Sequence, residues 1–599
     1  MFKFASKFAY QNRRRQKKVN FRRVEEISTN VISLSFESLE DRAFDTDQHI
    51  PYECKCGACL NSFSILEPKE EKSEKQVWVC EFCGERNELI ENEKIKAEKP
   101  QVDYLIAISD KEENQEDEIV IFCVDTSGSM CTTYEIQGTK EDFQKIKKTQ
   151  KQNIPNFADD SFQQIQRLPQ NQMYISRLDC LKIAIQSQIE SFYRDSPNKR
   201  VGLVSFSNIV KIHEDTRNPT KTLEKDTLLN IEEIKNSVSK RNIPAIKETK
   251  RLLQSNLQNL EDNGQTALGP ALVVSAELAG KKEGSRVILC TDGKSNIGIG
   301  NVDDDDELNK RDDAKENMES FYTQLALECK NKGIMISVMT FDDTDCNLEQ
   351  ISKVVQETEG DMDIVKPTQI QDTFKEFLSA KIVATQVRIK IIIHKNMFIY
   401  DSAENQNAKK MDENDERVSS HYEERGNVSN DESITFNYDF RDDSPETQKV
   451  FVQFQIEYKL LDGTIRKRIL TQALDVTENE DKAQEDIDLD IINANVTERS
   501  SEAALHNDHQ RALDLTKQGQ ALGQNAFRFV RNEEQRNRYH TSNMAYLPVQ
   551  NMMMDQLNED IQEMQDLSSG RRSKTKSKDK SVNAYFNAKK FSKHEKKRK

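Results

Sequence analysis

The sequence predicts an α/β chain: a doubly wound, mostly parallel sheet, preceded by a four-cysteine ribbon and followed by a β-sandwich and a short helical region. Three observations predict it. Two apolar runs, IVIFCVDTSGSM at 119–130 and VILCTDG at 287–293, end abruptly in hydroxyls and acids, as buried parallel strands do when they present polar loops at one sheet edge. Two close cysteine pairs precede them. Strict apolar alternation follows them from about residue 387 onward.

At 599 residues the chain is too long for one core, so several domains are expected. Hydrophobic residues make up 35% and charged residues 32%, a balance of folded domains diluted by polar insertions and tails. A net charge of -16 argues against nucleic-acid binding by the whole chain, yet both ends are basic, RRRQKKVNFRR near the start and RRSKTKSKDK with KHEKKRK near the end. They read as solvated tails or as contacts to an anionic surface. The acid-free first 23 residues also resemble, faintly, a mitochondrial presequence. No run of about 18 apolar residues predicts a transmembrane helix, and the expected location is cytoplasmic, peripheral to membranes.

The first element in order is the ribbon. In YECKCGACLNSFS and WVCEFCGERNEL, Cys56 and Cys59 form one C-x-x-C and Cys80 and Cys83 another. Four thiolates at this spacing suit a closed, tetrahedral, structural Zn2+ site. Cys54 is left over and competes with Cys56 in register.

In the α/β part, Ile119 to Val124 reads as a central strand, with Asp125, Ser127 and Ser129 on the loop beyond it. NGQTALGPAL places Thr266 just before an apolar helix, and Asp292 follows the run VILCT. Two carboxylates and three hydroxyls make a hard-oxygen set suited to Mg2+ or Mn2+, with one open position for a partner's carboxylate. RLDCLKIAIQSQIESFY places Leu178, Leu181, Ile185, Ile189 and Phe192 on one helical face. VGLVSFS and GIMISVMTF read as further buried strands. The GKS at Gly293 to Ser295 is no phosphate loop, since Ile288 stands where the earlier glycine belongs.

D-T-S-G-S, G-Q-T-A-L-G and C-T-D-G in this order resemble the von Willebrand factor A (VWA) domain. The resemblance implies a metal-ion-dependent adhesion site on Asp125, Ser127, Ser129, Thr266 and Asp292. A second resemblance covers roughly 45 to 535. Trp78, Cys80, Cys83, Tyr104 and the strand that follows are similar to the zinc finger and trunk of the COPII inner-coat subunits. VRIKIII, alternating at Val387, Ile389, Ile391 and Ile393, and the hairpin of Val452, Phe454, Ile456 and Tyr458 with its Asp462-Gly463 turn, resemble that family's β-sandwich. With its metal loops intact, the chain looks most like a protist branch that includes the VWA and zinc-finger half of circularly permuted Ras proteins. No GTPase loop is present in it.

The expected layout is a basic segment at 1–44 with a candidate sandwich strand (Ile32, Leu34, Phe36), the ribbon at 45–95, and the VWA domain at 100–380 with polar insertions near 132–172 and 300–315. A β-sandwich at 381–477, a helical region at 490–540 and a flexible lysine-rich tail at 541–599 follow. The eight histidines form no H-E-x-x-H, and no Ser-His-Asp order is compelling, so no enzyme is expected. The expected function is a non-enzymatic protein-binding scaffold of coat-trunk type, linked to vesicle or membrane trafficking, with a coat subunit or small GTPase as partner. The alternative is Mg-dependent capture of a protein partner at the metal-loop edge, unrelated to vesicle coats.

Overall fold

The computed structural model describes residues 2–11, 27–41, 45–46, 50–67, 76–89, 99–108, 118–137, 172–301, 312–342, 344, 346–366, 369–400, 409–410, 417–441, 447–568 and 578–594. The basic tract at 13–18, the bulk of the first polar insertion, the acidic run after 301 and the basic stretch 571–577 lie outside the described residues.

Seven described strands build the α/β sheet, in the order Lys221–Leu223, Val210–Ile212, Arg200–Phe206, Ile119–Asp125, Ser285–Cys290, Ile334–Phe341, Met362–Val365. The last five are mutually parallel, and the two at the Lys221 edge pair antiparallel. Every position of Ile119–Asp125, Ser285–Cys290 and Ile334–Phe341 is buried, because helices cover both faces. Ile119, Ile121 and Cys123 join the core under the helix Leu268–Ala279, and Val120, Phe122 and Val124 join the opposite core with the helix Arg177–Asp195.

Ile119–Asp125 comes first in the chain yet lies between Arg200–Phe206 and Ser285–Cys290. The winding therefore reverses beside it, and the loops after its carboxyl end and after Cys290 share one crevice. Gly269 seats the neighbouring loop. A Cβ there would lie 2.0 Å from the Ile299 carbonyl oxygen, so only glycine lets the helix start close against that backbone.

The second sheet draws strands from both sides of the α/β domain. Among the described residues it has 12 strands, and its main path runs Phe2–Phe4, Val31–Ser35, Ser433–Phe440, Met397–Tyr400, Arg417–Ser429, Ile382–Ile393, Lys449–Leu460, Ile465–Thr477, Gln101–Ala107, Asp45–Thr46. Ile32 and Leu34 share one core with Val387, Ile389, Phe454 and Ile456. The hairpin closes at Gly463, whose φ of 84° suits glycine, while Asp462 accepts a hydrogen bond from the Thr464 amide at 2.9 Å.

One buried ion pair joins these segments. Arg468 donates to both oxygens of Asp103, at 2.9 and 2.5 Å, Tyr458 donates its hydroxyl to Asp103 at 2.9 Å, and Arg468 also reaches the Ser38 carbonyl at 2.7 Å. Both charged side chains are 1% exposed. Asp103→Ala, which strands the guanidinium, is expected to cost about 3–5 kcal/mol, read as a lowered denaturant midpoint with the zinc content unchanged. A loss under about 1 kcal/mol would show the pair to be dispensable.

The expected flexible tail is corrected where it is described: 541–568 continues the helix Glu533–Ser568, and a further helix, Asp579–Lys593, packs against the body. Tyr585 and Phe586 are buried in it. Asp579 accepts hydrogen bonds from the Cys346 and Leu348 amides, at 2.6 and 2.8 Å, and so caps the start of the helix Leu348–Glu357 from a distant part of the chain. Lys590 pairs with Asp361, Lys593 with Glu359 at 3.4 Å and His594 with Asp431 at 3.3 Å. Lysine-rich composition had suggested solvent exposure; the acidic surface opposite overrides it.

Burial raises the Glu359 carboxyl, but Arg425 and Lys593 more than offset this and hold it at about 2. Burial likewise opposes, and the neighbouring His594 imidazole wins, at Asp431, also at about 2. Depressed carboxyls contribute stability that is complete above their ordinary values of about 4 and is lost as pH falls through about 2. Glu432, pushed up to about 7 by burial and by Glu359, is already protonated in that window. Acidification from about pH 5 to about pH 2 should therefore raise amide exchange in 579–593 before exchange in Ile119–Asp125. Simultaneous loss of protection would mean that these pairs do not tether the helix.

Candidate functional site

The cysteine cluster is built by two knuckles. The Gly57 amide donates to the Cys54 carbonyl at 2.7 Å and the Gly84 amide to the Cys80 carbonyl at 2.8 Å. Both glycines have positive φ, 94° and 83°. Each turn points its thiols inward, and the sulfurs of Cys54, Cys56, Cys80 and Cys83 all lie within 4.8 Å of one another. Cys54 Sγ is 3.7 Å from Cys83 Sγ, and Cys56 Sγ is 3.7 Å from Cys80 Sγ. A tetrahedron with Zn–S bonds of about 2.3 Å has sulfurs about 3.8 Å apart, so the donor set fits a structural zinc ion. Asn87 directs its amide toward the Cys54 sulfur at 3.6 Å, and Trp78, fully buried, donates to Glu81 at 3.0 Å.

Cys59 is not in the cluster, contrary to the C-x-x-C reading, and Cys54 takes its place. The Cys59 amide donates to Gln453 at 2.7 Å, and its carbonyl accepts from the same side chain at 3.0 Å. Gln455 lies 3.3 Å from its sulfur. Burial pushes the Cys59 thiol up to about 12, whereas Cys56 is held low, first by the hydrogen bond from Cys80. The legible signal was the glycine directly after the last cysteine of each knuckle, Cys56-Gly57 and Cys83-Gly84; Cys59 is followed by Leu60. Cys54→Ser is expected to abolish zinc retention by metal analysis of the purified chain, and Cys59→Ser to keep one zinc per chain. The opposite pattern would restore the first register.

At the crevice, Asp125 ends its strand, Ser127 and Ser129 lie at and within the short turn Gly128–Cys131, Thr266 precedes Leu268–Ala279, and Asp292 follows Ser285–Cys290. The five are brought to one edge. Ser127 and Ser129 hydroxyls are 3.0 Å apart, and a Cβ on Gly293 would lie 3.6 Å from the Thr266 hydroxyl and 3.7 Å from that of Ser129.

Each oxygen of both carboxylates already accepts a hydrogen bond. Asp125 accepts from the Ser127 amide at 2.8 Å and from the Thr291 hydroxyl at 2.6 Å. Asp292 accepts from the Ser129 hydroxyl at 2.5 Å and from Arg177 at 2.6 Å. Burial pushes the Asp125 carboxyl up to about 7 against its hydrogen bonds from Thr291 and Ser127. The oxygen set has the chemistry of a magnesium site, but this arrangement does not fit one, because a guanidinium holds the second carboxylate. Arg177 and Thr291 are the residues that sequence reasoning missed.

Among known proteins, the Sec23/Sec24 trunk domain family matches residues 170–381. Circularly permutated Ras protein 1 of Dictyostelium discoideum is 26% identical over 504 residues, covering 81% of this chain and 55% of that protein, so the chain spans little more than half the length of this relative. The structure resembles that of the human COPII-coat protein Sec24c with a TM-score of 0.56 at 13% identity, over 99% of this chain and 75% of the other, a likeness of fold. A von Willebrand factor type A protein from Catenulispora acidiphila overlaps 72% of this chain and 82% of its own at 10% identity and a TM-score of 0.39. Over residues 170–381 the chain is thus similar to the Sec23/Sec24 trunk domain, and a four-cysteine cluster suited to a structural zinc ion precedes its α/β domain.

Proposed function

We propose that this chain is a non-enzymatic protein-binding scaffold of coat-trunk type that acts in vesicle or membrane trafficking. The observation that supports it most is the trunk match over 170–381. The packing is consistent with a scaffold. Finger and sandwich are sealed by amide contacts, with Gln455 donating to the Gly57 carbonyl at 2.7 Å and the Lys395 amide donating to the Phe82 carbonyl at 2.9 Å. Such joints hold surfaces in fixed relation, which is what an assembling subunit needs.

The partner class we propose is another coat subunit or a small GTPase, with the chain cytoplasmic and peripheral to membranes. No helix among the described residues is long and apolar enough to cross a membrane. Binding of an anionic surface falls to the basic tracts outside the described residues, since Lys590 and Lys593 are spent on Asp361 and Glu359.

The second reading is capture of a partner carboxylate by Mg2+ or Mn2+ on Asp125, Ser127, Ser129, Thr266 and Asp292. The convergence of the three hydroxyls favours it, and the Arg177–Asp292 pair opposes it. Affinity capture from lysate with wild type and Asp125→Ala, in Mg2+ and in Mg2+-free buffer, separates the two. The scaffold reading expects vesicle-coat components to co-purify in all four conditions. Their loss both without Mg2+ and in the mutant would move the function to the metal loops, and their absence throughout would remove the trafficking assignment.

A further inference from the structure

The best-defined feature at the crevice is a residue that none of the metal-loop motifs includes. Arg177 is the first residue of the helix Arg177–Asp195, a position where the helix dipole disfavours a cation. A basic residue there needs a compensating anion, and Asp292 provides it at 2.6 Å with side-chain exposures of 8% and 0%. The guanidinium has two further restraints. Its Nε donates to the Tyr134 hydroxyl at 3.2 Å, which in turn donates to the Asp342 carbonyl at 3.0 Å. Its Cζ lies 5.5 Å from the Tyr134 ring centre and 5.6 Å from that of Phe341, within cation–π range.

Backbone ties fix the same point. The Arg177 amide donates to the Thr132 carbonyl at 3.0 Å, fastening the helix start to the residue just beyond the Gly128–Cys131 turn that carries Ser129. Ser129 then donates to the other oxygen of Asp292. Helix, serine turn and aspartate loop therefore close on one another around a cation that the chain supplies itself.

We propose that Arg177 is the resident cation of this loop edge: it fills the charge-balancing role of a divalent ion and excludes one. Two consequences follow. The edge is ordered in the absence of divalent metal, and any partner that touches it is recognised through hydroxyls and backbone rather than through an ion-bridged carboxylate. This inference is independent of the trafficking assignment, since it concerns only what occupies the crevice.

The test is a Mn2+ titration of the full, zinc-loaded chain, following free Mn2+ by its paramagnetic resonance signal. Wild type is expected to bind none at the crevice up to about 1 mM, and Arg177→Gln to acquire one site at least about tenfold tighter than that ceiling. The acquired site should vanish in Arg177→Gln/Asp292→Asn. Wild-type binding that disappears in Asp125→Ala would overturn the proposal, as would a folded Arg177→Gln that gains no site. Should Arg177→Gln fail to fold, the wild-type and Asp125→Ala arms still decide: absence of an Asp125-dependent Mn2+ site supports the proposal and its presence overturns it.

Discussion

The Asp103–Arg468 pair is the constraint on which the rest of the architecture hangs. Asp103 belongs to the last strand before the α/β domain, and Arg468 to the hairpin after it. A buried ion pair is tolerable only when its remaining hydrogen-bonding capacity is used, and here Tyr458 and the Ser38 carbonyl use it. Two segments from before the α/β domain, around Ser38 and Asp103, are thereby held at one point with a third that lies 430 and 365 residues further along. Tyr104, the next residue, packs beside Cys59 and Ile469, so the same strand that anchors the sandwich also seats the finger.

An acidic chain with a net charge of -16 keeps several of its cations in the interior or at joints. Arg468 joins sandwich to strand, and Arg425 gathers Glu359, Glu423 and Glu432 at 2.9, 2.7 and 3.4 Å. Arg177 closes the crevice, and the lysines of Asp579–Lys593 fasten the last described helix. Arginine recurs because its planar fork satisfies two acceptors at once and is less strongly hydrated than an ammonium. Each of these cations faces at least one carboxylate from a distant part of the sequence, so the joints are specified by pairing as well as by apolar burial.

Much of this was legible in the sequence. The central strands are written as unbroken apolar runs, and the hairpin carries both its alternation and its Asp-Gly turn. The five metal-loop residues do converge, because each follows a strand or precedes a helix at the same sheet edge. What failed was whatever depended on partners far along the chain. The C-x-x-C spacing favoured Cys59, but Gln453 and Gln455 draw it into the sandwich joint and leave Cys54 to complete the cluster. The lysines near the end look solvated until Glu359 and Asp361 are set opposite them. Arg177 lies on the amphipathic helix that was correctly read, yet its role depends on Asp292, which no local pattern connects to it.

The second sheet also constrains the order in which the protein can be assembled during synthesis. Val31–Ser35 pairs with Ser433–Phe440, and Phe8–Tyr10 with the end of Ile465–Thr477. The finger meets Gln453 and Gln455 across 394 and 398 residues of intervening chain. On the ribosome, the cysteine cluster and the α/β domain have all their own residues long before that docking surface emerges, while the first strands must wait unpaired for it. Early metal loading of the finger would then keep its thiols occupied through the interval, and completion of the sandwich becomes the late step that brings strands from before and after the α/β domain into one sheet.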